Sequence, residues 1–74
     1  MELEIQDALE DFYKNLHVAV HLEEFRKYKI RLVVETACYD IFFKYDANKT
    51  FDVNLNIIKE EIDKCILKYY HRNA

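Results

Sequence analysis

Neither glycine nor proline occurs anywhere in this 74-residue chain. Glycine enters positive φ without a steric penalty and proline presets φ for turns, so every reversal here falls to residues that carry a Cβ and a flexible φ. Asparagine and aspartate tolerate the left-handed region best among these, which makes Asn15, Asp46 and Asn48 the expected turn residues. The same absence removes the glycine-rich loops that let a backbone approach phosphate closely. Walker-type and dinucleotide-binding sites are thereby excluded.

The chain is 51% hydrophobic and 15% aromatic, too much burial potential for a disordered or low-complexity segment. No stretch approaches the ~18 consecutive apolar residues of a membrane-spanning helix. Met1-Glu2-Leu3-Glu4 is acidic where a secretory signal would be basic and then apolar, so the expected location is the cytoplasm. Residues 1–74 suit one small domain. A domain of this size buries only about 60% of its unfolded surface, so a second copy covering part of it would add stability, and a homodimer is expected. In a reducing cytosol Cys38 and Cys65 are expected to be free thiols.

In the first segment Ile5, Ala8, Leu9, Phe12, Leu16, Ala19 and Val20 form an apolar stripe at helical spacing. The acids Glu2, Glu4, Asp7, Glu10 and Asp11 suit the positive end of a helix dipole. Val18, Leu22 and Phe25 then project from nearly the opposite face. Either the helix breaks near Asn15 and residues 16–22 become an alternating strand, or it continues to Phe25 and offers a second apolar seam to a partner. Residues 23–27 contain no turn former, which favours continuation.

Tyr28, Ile30, Leu32 and Val34 alternate with Lys27, Lys29, Arg31 and Val33, and Tyr39, Ile41, Phe43 and Tyr45 repeat the pattern. A four-residue loop from Glu35 to Cys38 would pair Val34 with Tyr39, Leu32 with Ile41, Ile30 with Phe43 and Tyr28 with Tyr45, putting both apolar sets on one face. A helical reading of residues 33–45 also has regular spacing, but it strands Phe43 outside and places many β-branched and aromatic residues in a helix. Residues 46–49 read as a turn, and Thr50 to Val53 as an available third strand. Leu55, Ile58, Ile62, Cys65, Ile66 and Tyr69 mark a last helix, with Asp52, Asn54 or Asn56 as its cap.

The fold class is therefore α+β: helix, β-hairpin of two or three strands, helix, with both helices on the one apolar sheet face. Double-stranded-RNA-binding domains share a related element order. The similarity ends there, because nothing here matches their glycines or the lysine cluster that opens their last helix.

On the outer sheet face the expected register sets Lys29 opposite Lys44, Arg31 opposite Phe42 and Val33 opposite Asp40. An aromatic ring among Lys29, Arg31 and Lys44 is what stacking on single-stranded nucleic acid requires. The net charge of −3 and the acidic first helix oppose that use. A protein or dimer contact centred on Phe42 and Val33 is preferred, with Val18, Leu22 and Phe25 as a second contact. His17 and His21 stand four apart, but no third ligand follows at zinc-motif spacing, and no metal or other cofactor is expected. Cys38 and Cys65 lack an activating motif, and neighbouring carboxylates such as Glu23 and Glu24 point apart on a helix, so no catalytic residues and no enzyme activity are expected. Residues 1–24 carry seven acids and one lysine, with Arg26, Lys27, Lys29 and Arg31 soon after. That segregation, together with six tyrosines, suits a recognition surface.

The function expected from these residues is a non-enzymatic protein-interaction domain, a small cytosolic regulator or inhibitor of the kind found among phage or mobile-element accessory proteins. The alternative is a single-stranded nucleic-acid-binding module that uses the outer sheet face. No membrane partner is expected.

Overall fold

The computed structural model describes residues 2–24 and 29–72. Helix α1 (Glu2–Tyr13) is followed by strands β1 (Val18–Glu24), β2 (Lys29–Val34) and β3 (Ala37–Phe42), and helix α2 (Phe51–Arg72) closes the chain. The sheet is antiparallel in the order β1-β2-β3. Val20 from β1, Ile30, Leu32 and Val34 from β2 and Ile41 from β3 share a core with Ile5, Leu9 and Tyr13 of α1 and Leu55, Ile58 and Ile62 of α2. Both helices therefore lie on one sheet face, as expected.

Helix α1 ends at Tyr13, about twelve residues short of the favoured continuation to Phe25. Leu16 N–H donates to the Tyr13 carbonyl at 3.1 Å, and residues 14–17 form a turn that includes Asn15. The alternating strand then follows. Val18, Val20 and Leu22 face the core while Ala19 and His21 are exposed, because period two lets the β-branched residues pack on the sheet's inner side. Val18 and Leu22 therefore pack against this chain's own core and do not form the outward helical seam that a continued helix would offer. Phe25, Arg26, Lys27 and Tyr28 lie outside the described residues, and with them the expected pairing of Tyr28 with Tyr45. The buried stripe of α1 is Ile5, Leu9 and Tyr13, whereas Phe12 and Leu16 are 42% and 53% exposed. Tyr13 wins the inward position because its ring can be buried while its hydroxyl reaches an acceptor at the rim of the core: it donates to Asp63 Oδ1 at 2.7 Å. Lys59 pairs with the other Asp63 oxygen at 2.8 Å and sits 5.5 Å from the centroid of the Phe12 ring, clasping the two helices together.

The hairpin register differs from the expected one by two residues. Val34 pairs with Ala37, Leu32 with Tyr39 and Ile30 with Ile41, leaving only Glu35 and Thr36 in the loop. A two-residue slip preserves which side chains face the core, so Ile30, Leu32, Val34, Ile41 and Phe43 are all buried as the alternation requires. Two-residue loops match the twist of paired strands but need positive φ, here supplied by Glu35 at φ 56° instead of glycine or asparagine. The conformation costs a residue with a Cβ roughly 1–2 kcal/mol. Glu35 is held there by its N–H donating to the His17 carbonyl at 3.0 Å and its carboxylate accepting from the Tyr69 hydroxyl at 2.8 Å.

Thr50 to Val53 is not a strand. Thr50 is the N-cap of α2, its Oγ1 accepting from Val53 N–H at 3.2 Å, so Asp52, Asn54 and Asn56 fall inside the helix. Before it, Asp46 makes the expected turn, accepting from Lys49 N–H on its carbonyl and from Asn48 N–H on its side chain. Asn54 is 1% exposed and pairs with this loop in the manner of a peptide group. Its Oδ1 accepts from Asp46 N–H at 3.0 Å, and its Nδ2 donates to the Asp46 carbonyl at 2.9 Å and the Thr50 carbonyl at 3.1 Å.

Replacing Asn54 with alanine leaves the Asp46 N–H without its acceptor and empties the buried space that the amide fills. It should lower stability by about 2–3 kcal/mol in urea titrations. Asn54→Asp should not restore it, because a carboxylate accepts but cannot donate to the two carbonyls. The helix clasp makes a pH prediction. Burial first, then the hydrogen bond and charge of Asp63, push the Tyr13 phenol well above its ordinary value. The unfolded chain ionises near pH 10, so the stability held in this group is full below about pH 10 and is lost as pH rises beyond it. Urea midpoints should fall on that alkaline limb, and Tyr13→Phe should flatten the fall.

Candidate functional site

The two edges of the sheet are treated differently. Gln6 of α1 reaches the free edge of β1, where its Nε2 donates to the Val20 carbonyl at 2.8 Å and its Oε1 accepts from Leu22 N–H at 2.7 Å. One side-chain amide thereby reproduces the two bonds that a parallel strand would make around His21. The second Nε2 proton goes to Glu10 Oε1 at 2.8 Å, which fixes the amide's orientation.

These bonds also set the ladder. Val20 and Leu22 aim their backbone groups away from β2, so Ala19 and His21 aim theirs toward it, in line with the Glu35 to His17 bond that continues the series. Val33 and Arg31 then face β1, and Ile30, Leu32 and Val34 face β3. By the same alternation Ala37, Tyr39 and Ile41 bond to β2, and the N–H and C=O groups of Cys38, Asp40 and Phe42 point out of the sheet. They have no hydrogen-bond partner among the described residues. The edge of β3 is open where that of β1 is closed.

The observed register rearranges the outer sheet face. Val33 lies between Ala19 and Cys38, Arg31 between His21 and Asp40, and Lys29 opposite Phe42. Lys29 is therefore not opposite Lys44, nor Arg31 opposite Phe42, nor Val33 opposite Asp40. Phe42 and Val33 are separated by the row of Arg31 and Asp40 and form no single patch. Asp40 opposes Arg31 and lies 3.7 Å from the Lys29 ammonium, so the two cations of this face have an acid beside them. Phe42, 66% exposed, stands at the open edge, and exposed Lys44 lies just beyond the end of β3. His17 is in the turn before β1 and His21 is on the strand, so the helical spacing that would align them does not exist. Among the described residues no group of three or more His, Cys, Asp or Glu could hold a metal ion. Cys38 and Cys65 are both free thiols.

A groove that residue patterning did not disclose runs between the β3 edge and α2. At one end Tyr39 faces Cys65, Lys68 and Arg72 across a cavity of about 280 Å³. Next, Asp40 and Phe42 meet Glu61, Lys64 and Lys68 around one of about 260 Å³. Beyond these, Phe43 and Lys44 face Ile57 and Glu61. As the strand advances from 39 to 44 the helix recedes from 72 to 57, so the two walls are antiparallel. Lys64 pairs with Glu61 at 3.3 Å, whereas Lys68, Arg72 and Lys44 have no ion pair among the described residues. Burial pushes the Cys65 thiol up, partly offset by the Lys68 charge. The i, i+4, i+8 spacing of Lys64, Lys68 and Arg72 was the available sequence signal. It carries no meaning until the opposite wall is known.

Compared with protein-family models, curated proteins and solved structures, the chain finds no match.

Gln6→Ala should cost about 1–3 kcal/mol by leaving the Val20 and Leu22 groups without their partner. It should also expose β1 as a second open edge, detected as concentration-dependent self-association in sedimentation velocity. Unchanged stability and an unchanged sedimentation profile would show that the amide does not guard the edge.

Proposed function

We propose that this chain is a non-enzymatic protein-interaction domain that binds its partner along the β3 side of the sheet, around Phe42. The observation that carries this reading is the asymmetry of the edges: one is closed by a dedicated side chain, and the other presents unpaired backbone groups beside a large exposed ring. An open edge is a liability that stable proteins normally blunt, so leaving it bare beside Phe42 is consistent with a surface kept for another chain. Aromatic anchors of this kind dominate binding energy at protein interfaces. The neutralising position of Asp40 beside Lys29 and Arg31 supports this over stacking on single-stranded nucleic acid, which needs uncompensated cations around the ring. A role as a small regulator or inhibitor follows naturally, since such a domain acts by covering a surface on another protein.

A photo-crosslinking residue placed at position 42 tests this in the native host, with the exposed position 7 on the outer side of α1 as the control. Discrete protein adducts are expected from position 42 and none from position 7. Phe42→Ala should abolish capture by a crosslinker at position 44 while leaving the urea midpoint nearly unchanged, because a ring this exposed adds little to the core. Adducts to RNA or DNA in place of protein would overturn the reading, as would equal protein labelling from both positions.

A further inference from the structure

We infer that the groove between β3 and α2 takes an extended peptide segment as a fourth strand, and that the segment carries acidic side chains at alternate positions. This deepens the reading above and rests on it. The first wall dictates an extended backbone. Cys38, Asp40 and Phe42 present their N–H and C=O groups outward without partners, and an added strand satisfies such a row at ladder geometry.

The second wall dictates charge. Lys64, Lys68 and Arg72 are spaced four apart on α2, which puts them ~6 Å apart along the helix axis. Alternate side chains of a strand are ~6.6 Å apart. A strand lying along β3 would turn every second side chain toward α2, so successive acids would meet successive cations. The two walls run alongside each other for about 17 Å, from 39 to 44 on the β3 side, against a helix wall of about 22 Å from 72 to 57. The other set of side chains would lie on the outer sheet face beside Cys38, Asp40 and Phe42. An apolar residue opposite Phe42 and a residue other than an acid opposite Asp40 complete the recognition pattern.

The same geometry argues against a second copy of this chain in the groove. Two β3 edges paired about their centre set Asp40 opposite its own copy, a like-charge cross-strand pair, and bring two basic helix faces together.

A synthetic peptide of roughly seven residues alternating glutamate and valine is the probe, a length set by the groove at ~3.3 Å per residue. Binding is read by fluorescence anisotropy at low salt and by amide chemical shifts of the protein. The expected result is saturable binding that shifts the amide resonances of Cys38, Asp40 and Phe42. N-methylation of the peptide amides on the edge-facing side should abolish it, and N-methylation of the other amides should not. Lys68→Glu should weaken binding roughly tenfold or more, and adding salt should weaken it too. Asp40→Pro offers a second block, because it removes an outward N–H without touching the β2 ladder. Lys68→Glu lies on an exposed helix position and keeps the test decisive if that proline variant fails to fold.

Binding that survives edge-facing N-methylation, or that is equal for a peptide with its glutamates grouped together, would overturn the added strand. No peptide binding while a crosslinker at position 42 still captures protein would overturn the strand and leave the interaction reading intact. Retention of single-stranded RNA, lost in Lys68→Glu, with no peptide binding would overturn both.

Discussion

A side-chain amide carries the same donor and acceptor as a peptide group, and this fold depends on that equivalence twice. Gln6 stands in for a strand along β1, and Asn54 stands in for a strand along the loop that leads into α2. In both places the backbone would otherwise present unpaired groups at a partly buried position, where each costs about 1–3 kcal/mol. Without glycine or proline the chain has few ways to close its loops tightly, and amides reaching across from helices do that work at a distance. The two helices therefore do more than cover the sheet. Each carries the polar group that fixes the position of the chain beside it.

The strained turn fits the same pattern. Glu35 occupies the left-handed region where glycine would be free of strain, and its side chain compensates by accepting from Tyr69 near the end of α2. Tyr69 in turn meets Tyr39 edge-on at 6.4 Å. The hairpin tip, β3 and the last turns of α2 are thus connected through one ring. A helix of 22 residues spans about 33 Å, longer than any six-residue strand beneath it, and this connection holds its far end against the sheet.

Residue order carried much of this architecture and misplaced part of it for physical reasons. Period two over residues 29–43 identified the hairpin and its buried face, because a face survives any register slip of two. The register itself was out of reach, since it turned on a glutamate accepting a conformation that its side chain disfavours. Residues 18–24 satisfy both periods. The helical reading rested on the lack of a turn former after Leu22, whereas the deciding contacts were pairing with β2 and the Gln6 amide, both distant in sequence. The apolar stripe took in Phe12 and not Tyr13, yet Tyr13 is the buried one, its hydroxyl donating a hydrogen bond to Asp63 fifty residues on. Phe42 was identified as an exposed ring. Its neighbourhood was not, because the acid beside Lys29 and Arg31 depends on the true register and the basic wall across from it depends on how α2 crosses β3.

Charge opposes the pairing of the exposed edge with a second copy. The whole chain is acidic, and α1, on the side where the sheet edge is closed, carries five of its fourteen acids and no lysine or arginine. Lys68, Arg72 and Lys44, which have no ion pair among the described residues, line the groove on the opposite side, where the edge is open. An incoming strand from an identical molecule would bring Asp40 against Asp40 and a basic helix against a basic helix, so repulsion grows just as the backbones come into register. A foreign acidic segment meets attraction at the same distance. On the proposal that the groove takes an acidic strand, the side chains flanking the edge disfavour the chain's own β3 while its outward backbone groups suit a strand of the right charge.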